Sequence, residues 1–241
     1  MKLLFVRHGD PDVPYDDLTE TGKKEALLLV PRLSAPDVKT FYVSPLVRAQ
    51  KTAAPTLEKM GREAITCDWL REFYAPVDRP DKKAAKSCWD WLPQDWTSDE
   101  RFFSKDHWFE NERMAAGHVK EEYDRVTGAF DELLAGLGYV RDGLTYRVER
   151  PNEETYVFFC HFGVTCVLLS RLLNISPMPL WQGFVSAPAS VTTVVTEERR
   201  PGTASFRVTG FGDISHLYAA GEKPSFAARF CEMYGNGERI D

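Results

Sequence analysis

Cysteine is sparse, and its pattern points away from cross-links. The five residues Cys67, Cys88, Cys160, Cys166 and Cys231 are odd in number and include no CxxC spacing. Reduced, structural thiols in a cytoplasmic protein are therefore expected. A surplus of positive charge is also lacking. Thirty Lys and Arg stand against 36 Asp and Glu, a formal net charge of −6. The broad basic face of a general nucleic-acid binder is not expected, although a local basic pocket is compatible with this balance. No apolar run reaches membrane-spanning length, and only four apolar residues separate Lys2 from Arg7, too few for a secretory h-region. Internal repeats and low-complexity tracts are absent from the sequence. What is present, 43% hydrophobic and 27% charged residues in 241, suits a soluble globular protein with a substantial core.

The first apolar run, Leu3-Leu4-Phe5-Val6, breaks straight into Arg7-His8-Gly9. It reads as a short buried strand over residues 2–7. Helical spacing of Ala26, Leu29, Val30 and Leu33 follows, with Thr19 as N-cap and Pro31 expected to distort the last turn. Residues 38–45 read as a strand, 46–61 as a helix, and 63–73 as a strand running into Glu72. Alternating strands and helices favour a layered α/β domain. Residues 74–112 lose periodicity but hold Trp89, Trp91, Trp96 and Trp108. So aromatic a stretch is expected to be an ordered insertion. An amphipathic helix carries Val119, Tyr123, Val126, Phe130, Leu133 and Leu137 on one face, and a hairpin or irregular link comes next. Residues 155–162, TYVFFCHF, form a continuous apolar strand suited to a central position. After its helix, two more strands close the chain.

Two strands share one design: LLFVRHG and YVFFCHFG both end in a histidine with glycine close behind. In parallel-type sheets ligands bind at the carboxyl ends of strands. A third strand end supplies Ser44-Pro45, with Arg48 one turn into the next helix, and a fourth supplies Glu72. Two imidazoles, two guanidiniums and a carboxylate would then converge. That set suits phosphoryl transfer through a phosphohistidine. Guanidiniums grip phosphate oxygens bidentately, a neutral imidazole attacks phosphorus, and a carboxylic acid protonates the leaving alcohol before activating water.

RHG after the first strand, LTETG, SPLVRAQKTA over 44–53, the glutamate past the next strand, the late strand-histidine and the closing DISHL together resemble the histidine phosphatase superfamily, also called phosphoglycerate-mutase-like. RHG alone is weak; RHG with SPLxRAxxTA in this order is specific. The resemblance covers most of the chain apart from the tryptophan-rich insertion. It implies a three-layer α/β/α sandwich with a mostly parallel central sheet, one domain over 1–241, and no metal or other cofactor. It further implies His8 as the phosphorylated nucleophile, Arg7 and Arg48 as phosphate ligands, Glu72 as proton donor, and His161 as phosphate ligand and transition-state stabiliser. The RHGxRxP and His-Asp patterns of the acid-phosphatase branch are absent, which places the chain nearer the mutase-type branch.

Two departures bear on substrate. Phe162 separates His161 from Gly163, where relatives often have glycine at once. The Phe162 backbone amide remains available to phosphate, while its ring would narrow the pocket. The loop after RHG is acidic, with Asp10, Asp12, Asp16 and Asp17, and would repel a second anionic group on the substrate. This favours hydrolysis of a small phosphorylated metabolite over mutase chemistry. The alternatives are a mutase, a non-catalytic phosphoester-binding protein, and a haloacid-dehalogenase-type phosphatase using Asp10 and Asp12. In the last, Pro14 stands where Thr or Val is expected. Cys166 and Arg171 are one residue too close for a CxxxxxR phosphatase. The tryptophan cluster is expected to form a small core rather than a binding surface, with a lid over the substrate as the alternative use of an insertion that follows the strand of the acid. His107, His118 and His216 are expected to be structural or second to the site, and oligomeric state is not legible.

Overall fold

The computed structural model describes residues 1–81, 87–227 and 232–235; Cys231 and part of the tryptophan-rich insertion lie outside them. β1 (Lys2–Arg7) is buried after its first residue. A two-stranded ribbon of β2 (Pro11–Asp12) and β3 (Asp17–Leu18) follows. α1 (Glu20–Ser34) begins where Thr19 Oγ1 accepts the Gly22 N–H at 3.1 Å, as the N-cap position predicts. The helix continues through Pro31 to Ser34, whose hydroxyl donates to the Val30 carbonyl at 2.7 Å.

β4 (Val38–Val43), α2 (Val47–Met60) and β5 (Ala64–Thr66) come next. The expected strand over 63–73 stops at Thr66. A 3₁₀ turn over Asp68–Leu70 follows, and Glu72 sits in irregular chain beyond it. β5 lies at one edge of the sheet, and the turn lets Leu70 and then Phe73 enter the core. The insertion carries α3 (Pro93–Trp96) and α4 (Glu112–Ala116). α5 (Val119–Gly136) buries Val119, Val126 and Phe130 as its spacing predicts, but Leu134 rather than Leu133 completes the buried stripe. The link after it is a hairpin, β6 (Tyr139–Asp142) with β7 (Thr145–Val148). β8 (Thr155–Cys160), α6 (Phe162–Leu173), α7 (Pro177–Gly183), β9 (Val191–Arg200), β10 (Thr203–Asp213) and α8 (Ser215–Ala219) complete the helices and strands of the described residues.

Among the described residues, eight strands form one sheet in the order β5-β4-β8-β1-β9-β10-β7-β6. The sheet is mixed: β5, β4, β8 and β1 run parallel, and the pairings from β1 to β9 onward are antiparallel. Alternation along β1 builds the three layers. Leu3 and Phe5 face a core shared with Phe130 and Leu134 of α5 and Val164 and Leu168 of α6. Leu4 and Val6 face the opposite core, with Leu29 and Leu33 of α1 and Ala49 and Ala53 of α2. Each such large side chain contributes about 1.5–3 kcal/mol when taken out of water. The insertion belongs to the first of these cores. Trp91, Phe102 and Trp108 are buried in it, with Trp108 edge-on to Trp181 at 5.8 Å and Trp91 edge-on to Phe102 at 5.1 Å. Among the described residues, no helix is long and apolar enough to cross a membrane.

Candidate active site

Strand register brings the histidines together. In the parallel pair, Arg7 lies opposite Cys160, so the next residues, His8 and His161, leave the sheet side by side. The His8 N–H donates to the Cys160 carbonyl at 3.0 Å, and the His8 carbonyl accepts the Ala189 N–H at 3.0 Å. The two rings stand 5.0 Å apart between centroids, tilted by 54°. On the other side of β8, Val43 pairs with Phe159 and the Ser44 N–H donates to the Phe159 carbonyl at 2.9 Å. Ser44 thus arrives beside His161 from the third strand end.

Two glycines set the turn out of β1. A Cβ on Gly9 would stand 2.6 Å from the Gly22 carbonyl oxygen, and one on Gly22 would stand 2.3 Å from the Asp10 carbonyl oxygen. The RHG and LTETG segments therefore meet backbone to backbone, where any side chain would force them apart. His8 Nδ1 lies 2.7 Å from the Gly9 carbonyl oxygen. A carbonyl only accepts, so Nδ1 carries the proton and Nε2 keeps its lone pair. Nucleophilic chemistry needs that nitrogen.

The SPLVRAQKTA segment works at a spacing of four. Ser44 Oγ reaches His161 Nε2 at 2.8 Å. Arg48 follows at the start of α2, and one turn on, Thr52 Oγ1 donates to the Arg48 carbonyl at 2.7 Å while accepting the Gly9 N–H at 2.9 Å. Thr52 is fully buried and ties α2 to the RHG turn. The sequence reading places Ser44 at a strand end without its contact to His161, and the 44-48-52 periodicity is the signal that links it to Arg48 and Thr52.

Arg7 is buried, and its Nη1 donates to the Ser186 carbonyl at 2.5 Å. Its Nε finds no partner among the described residues. Burial lowers its pKa to about 10, partly offset by Glu72, which leaves it cationic at neutral pH. Arg48 pairs with the Asp16 carboxylate, which also accepts the Val47 N–H at 2.9 Å. Burial and then the two arginines push the His8 pKa well below its usual range, and burial, His8 and both arginines do the same to His161. Both rings are thus neutral near pH 7.

Glu72 converges on this group although its strand stops early. Its carboxylate accepts N–H groups from Phe73 at 2.8 Å, Val164 at 3.0 Å and Gly163 at 3.2 Å. Two of these belong to the first turn of α6, which suits a carboxylate. Burial nevertheless raises its pKa, with the backbone bonds and Arg48 acting in the opposite direction. Gly163 lets the carboxylate in: a Cβ there would be 2.6 Å from Glu72 Oε1 and 2.9 Å from Trp89 Nε1. The departure noted in sequence, glycine one place later, has this purpose. The Phe162 ring is buried edge-on to Trp89 at 6.0 Å, and its backbone opens α6. Trp89, whose role sequence reasoning missed, holds a buried indole N–H that finds no partner among the described residues.

The acidic loop is partly neutralised. Asp16 pairs with Arg48 and Asp17 with Lys51, and the Asp10 carboxylate accepts the hydroxyls of Thr19, at 2.7 Å, and Ser225. Asp10 thus faces α1 and the C-terminal segment, a poor setting for the nucleophile of a haloacid-dehalogenase-type enzyme. His107 and His118 are exposed beside Glu110 and Glu121. His216 Nδ1 lies 3.2 Å from Arg32 Nη1, outside the cluster. No group of three or more His, Cys, Asp or Glu among the described residues is placed to hold a metal ion.

The sequence model of the histidine phosphatase superfamily (branch 1) matches residues 3–209. The chain is 26% identical over 220 residues to phosphoserine phosphatase 1 of Hydrogenobacter thermophilus, spanning 87% of this chain and 93% of that protein. It is 24% identical over 233 residues to a probable phosphatase of Schizosaccharomyces pombe, spanning 90% and 95%. Similar solved structures include an Entamoeba histolytica phosphoserine phosphatase mutant in complex with phosphoserine, at TM-score 0.58, 17% identity and 90% and 98% coverage. A mycobacterial glucosyl-3-phosphoglycerate phosphatase complexed with VO3 follows at TM-score 0.55, 17% identity and 88% and 98% coverage.

Proposed function

Because the chain belongs to the histidine phosphatase superfamily, branch 1, we propose that it hydrolyses the phosphomonoester of a small metabolite through a phosphohistidine on His8. The observation that carries this reading is the tautomer of His8. Nδ1 is committed to the Gly9 carbonyl at 2.7 Å, and Nε2 stays a neutral nucleophile beside His161. Arg7, Arg48, His161 and the Phe162 amide take the phosphoryl oxygens. The charge that metal ions supply in other phosphatases comes here from the two guanidiniums.

His8 Nε2 attacks phosphorus and a P–N bond forms as the ester P–O bond breaks. The leaving alcohol takes a proton from Glu72, which burial favours in its protonated form. Glu72, now a carboxylate, then takes a proton from water as the water oxygen attacks phosphorus. The P–N bond breaks, and inorganic phosphate and neutral His8 are restored. Relatives named for phosphoserine and glucosyl-3-phosphoglycerate support a small phosphorylated substrate. The pairing of Asp16 with Arg48 puts a carboxylate against the phosphate-binding arginine, which supports hydrolysis over transfer between doubly anionic mutase substrates. The free thiols of Cys67, Cys88, Cys160 and Cys166 support a cytoplasmic setting. The insertion, with Trp89 over Gly163, serves as a lid on the leaving-group side.

Hydrolysis of p-nitrophenyl phosphate in excess EDTA, wild type beside His8→Ala, tests the core of this reading. Turnover should survive EDTA and vanish in the variant. Enzyme quenched during turnover should carry base-stable, acid-labile phosphate. Magnesium-dependent turnover that persists in His8→Ala would overturn it.

A further inference from the structure

The bond between Ser44 and His161 has no part in the chemistry above, yet it determines what His161 offers a phosphoryl group. Ser44 is fully buried at the end of β4, with Oγ 2.8 Å from His161 Nε2. The same oxygen accepts the Leu46 N–H at 3.2 Å. A hydroxyl has one proton and two lone pairs, so with Leu46 on one lone pair the proton is free for an acceptor. The other ring nitrogen, Nδ1, is buried and finds no partner among the described residues.

A neutral imidazole has one N–H. Were it on Nε2, His161 would show Nδ1 as a lone pair, which repels anionic oxygens. With the proton on Nδ1, the same ring is a donor. We propose that Ser44 is a positioning residue: its O–H donates to His161 Nε2 and fixes the Nδ1–H tautomer, so that His161 meets the phosphoryl oxygens as a hydrogen-bond donor. The inference rests on the phosphoryl-transfer reading of the site for its purpose, but the tautomer itself does not depend on turnover. It also accounts for a serine at the third strand end: alanine there would keep the strand and the turn but leave the imidazole free to choose either nitrogen.

The test is a long-range ¹H–¹⁵N correlation of ¹⁵N-labelled wild type, with the His161 signals assigned by their loss in His161→Gln, and of Ser44→Ala and Ser44→Cys. Wild-type His161 should show the Nδ1–H pattern. Ser44→Ala should shift towards Nε2–H, lose about 10- to 100-fold in kcat on p-nitrophenyl phosphate, and bind inorganic phosphate more weakly. Ser44→Cys, similar in shape and a weaker donor, should fall between. A wild-type Nε2–H tautomer would overturn the proposal, as would Ser44→Ala with unchanged tautomer and unchanged kcat. A wild type that shows Nδ1–H but turns nothing over would leave the Ser44 assignment standing and remove the hydrolase reading instead.

Discussion

Gly163 and Glu72 are fitted to one another: the glycine N–H donates to the carboxylate at 3.2 Å, and a Cβ at 163 would stand 2.6 Å from its other oxygen. Adding a methyl group therefore has to move the carboxylate, the Trp89 ring or the start of α6. Gly163→Ala should fold, since residue 163 sits in the first turn of a helix where alanine is well tolerated. Displacing the acid should lower kcat by about 100-fold, with a fall in Tm of only a few degrees. Steady-state kinetics with a melting curve would check this, and full activity in the variant would show that the acid need not stand where Glu72 does.

The pH profile follows from two opposed shifts. In the proposed mechanism His8 reacts as the neutral imidazole, and its pKa is pushed down by burial and the arginines. The neutral form therefore persists to pH values well below 6.5, and the acid limb of kcat/KM should lie there. In that mechanism Glu72 serves as the protonated acid, and burial raises its pKa above 4.5, so activity should fall as pH rises through the raised pKa. Glu72→Gln should lack this alkaline limb. It should cost about 10²- to 10⁴-fold on alkyl phosphates and much less on p-nitrophenyl phosphate, whose leaving group departs without help. Equal losses on both ester types would argue that Glu72 does not protonate the leaving oxygen.

How legible this site was in the sequence depended on whether local pattern or distant contact made each part. β1 and β8 are apolar runs that stop at histidines, and their parallel register puts His8 beside His161 without further information. For Glu72 the strand pattern is an incomplete reason. The strand expected to deliver it ends at Thr66, because an edge strand lacks a second neighbour and Leu70 and Phe73 are drawn into the core. What holds Glu72 is the amide pair at Gly163 and Val164, some ninety residues on. No local period reports such a contact. Trp89 was hidden for the same reason, since its insertion has no periodicity and its place is set by Gly163.

Asp16 is the loop carboxylate through which the proposed discrimination against a second substrate anion would act. It holds a left-handed backbone conformation, φ 50°, and pairs with Arg48 while accepting the Val47 N–H. Asp16→Asn keeps an acceptor for Val47 and removes the charge. Repulsion between a carboxylate and a second substrate anion some 4 Å away is worth about 1 kcal/mol in water, or roughly fivefold in kcat/KM. The variant should gain about that factor for phosphoglycerate relative to phenyl phosphate. An unchanged ratio would mean that Asp16 only orients Arg48.

Deleting the insertion would be a poor test of the proposed lid, because Trp91, Phe102 and Trp108 belong to the main core. Substituting Trp89 is cleaner. The residue is partly exposed and edge-on to Phe162, and its indole N–H is buried without a partner among the described residues, close to Gly163 as the Glu72 carboxylate is. An unmatched N–H costs about 1–3 kcal/mol, a cost that a substrate oxygen on the leaving-group side can offset. Trp89→Phe keeps the apolar surface and removes the donor. It should raise KM several-fold for phosphoserine, whose leaving group carries oxygens beyond the ester. For phenyl phosphate, whose leaving group has no such oxygen, KM should change little. Trp89→Ala should raise KM for both, since it also removes the surface against which a ring packs. If neither variant moves KM for either ester, the insertion does not touch the substrate and Trp89 serves only to cover Gly163.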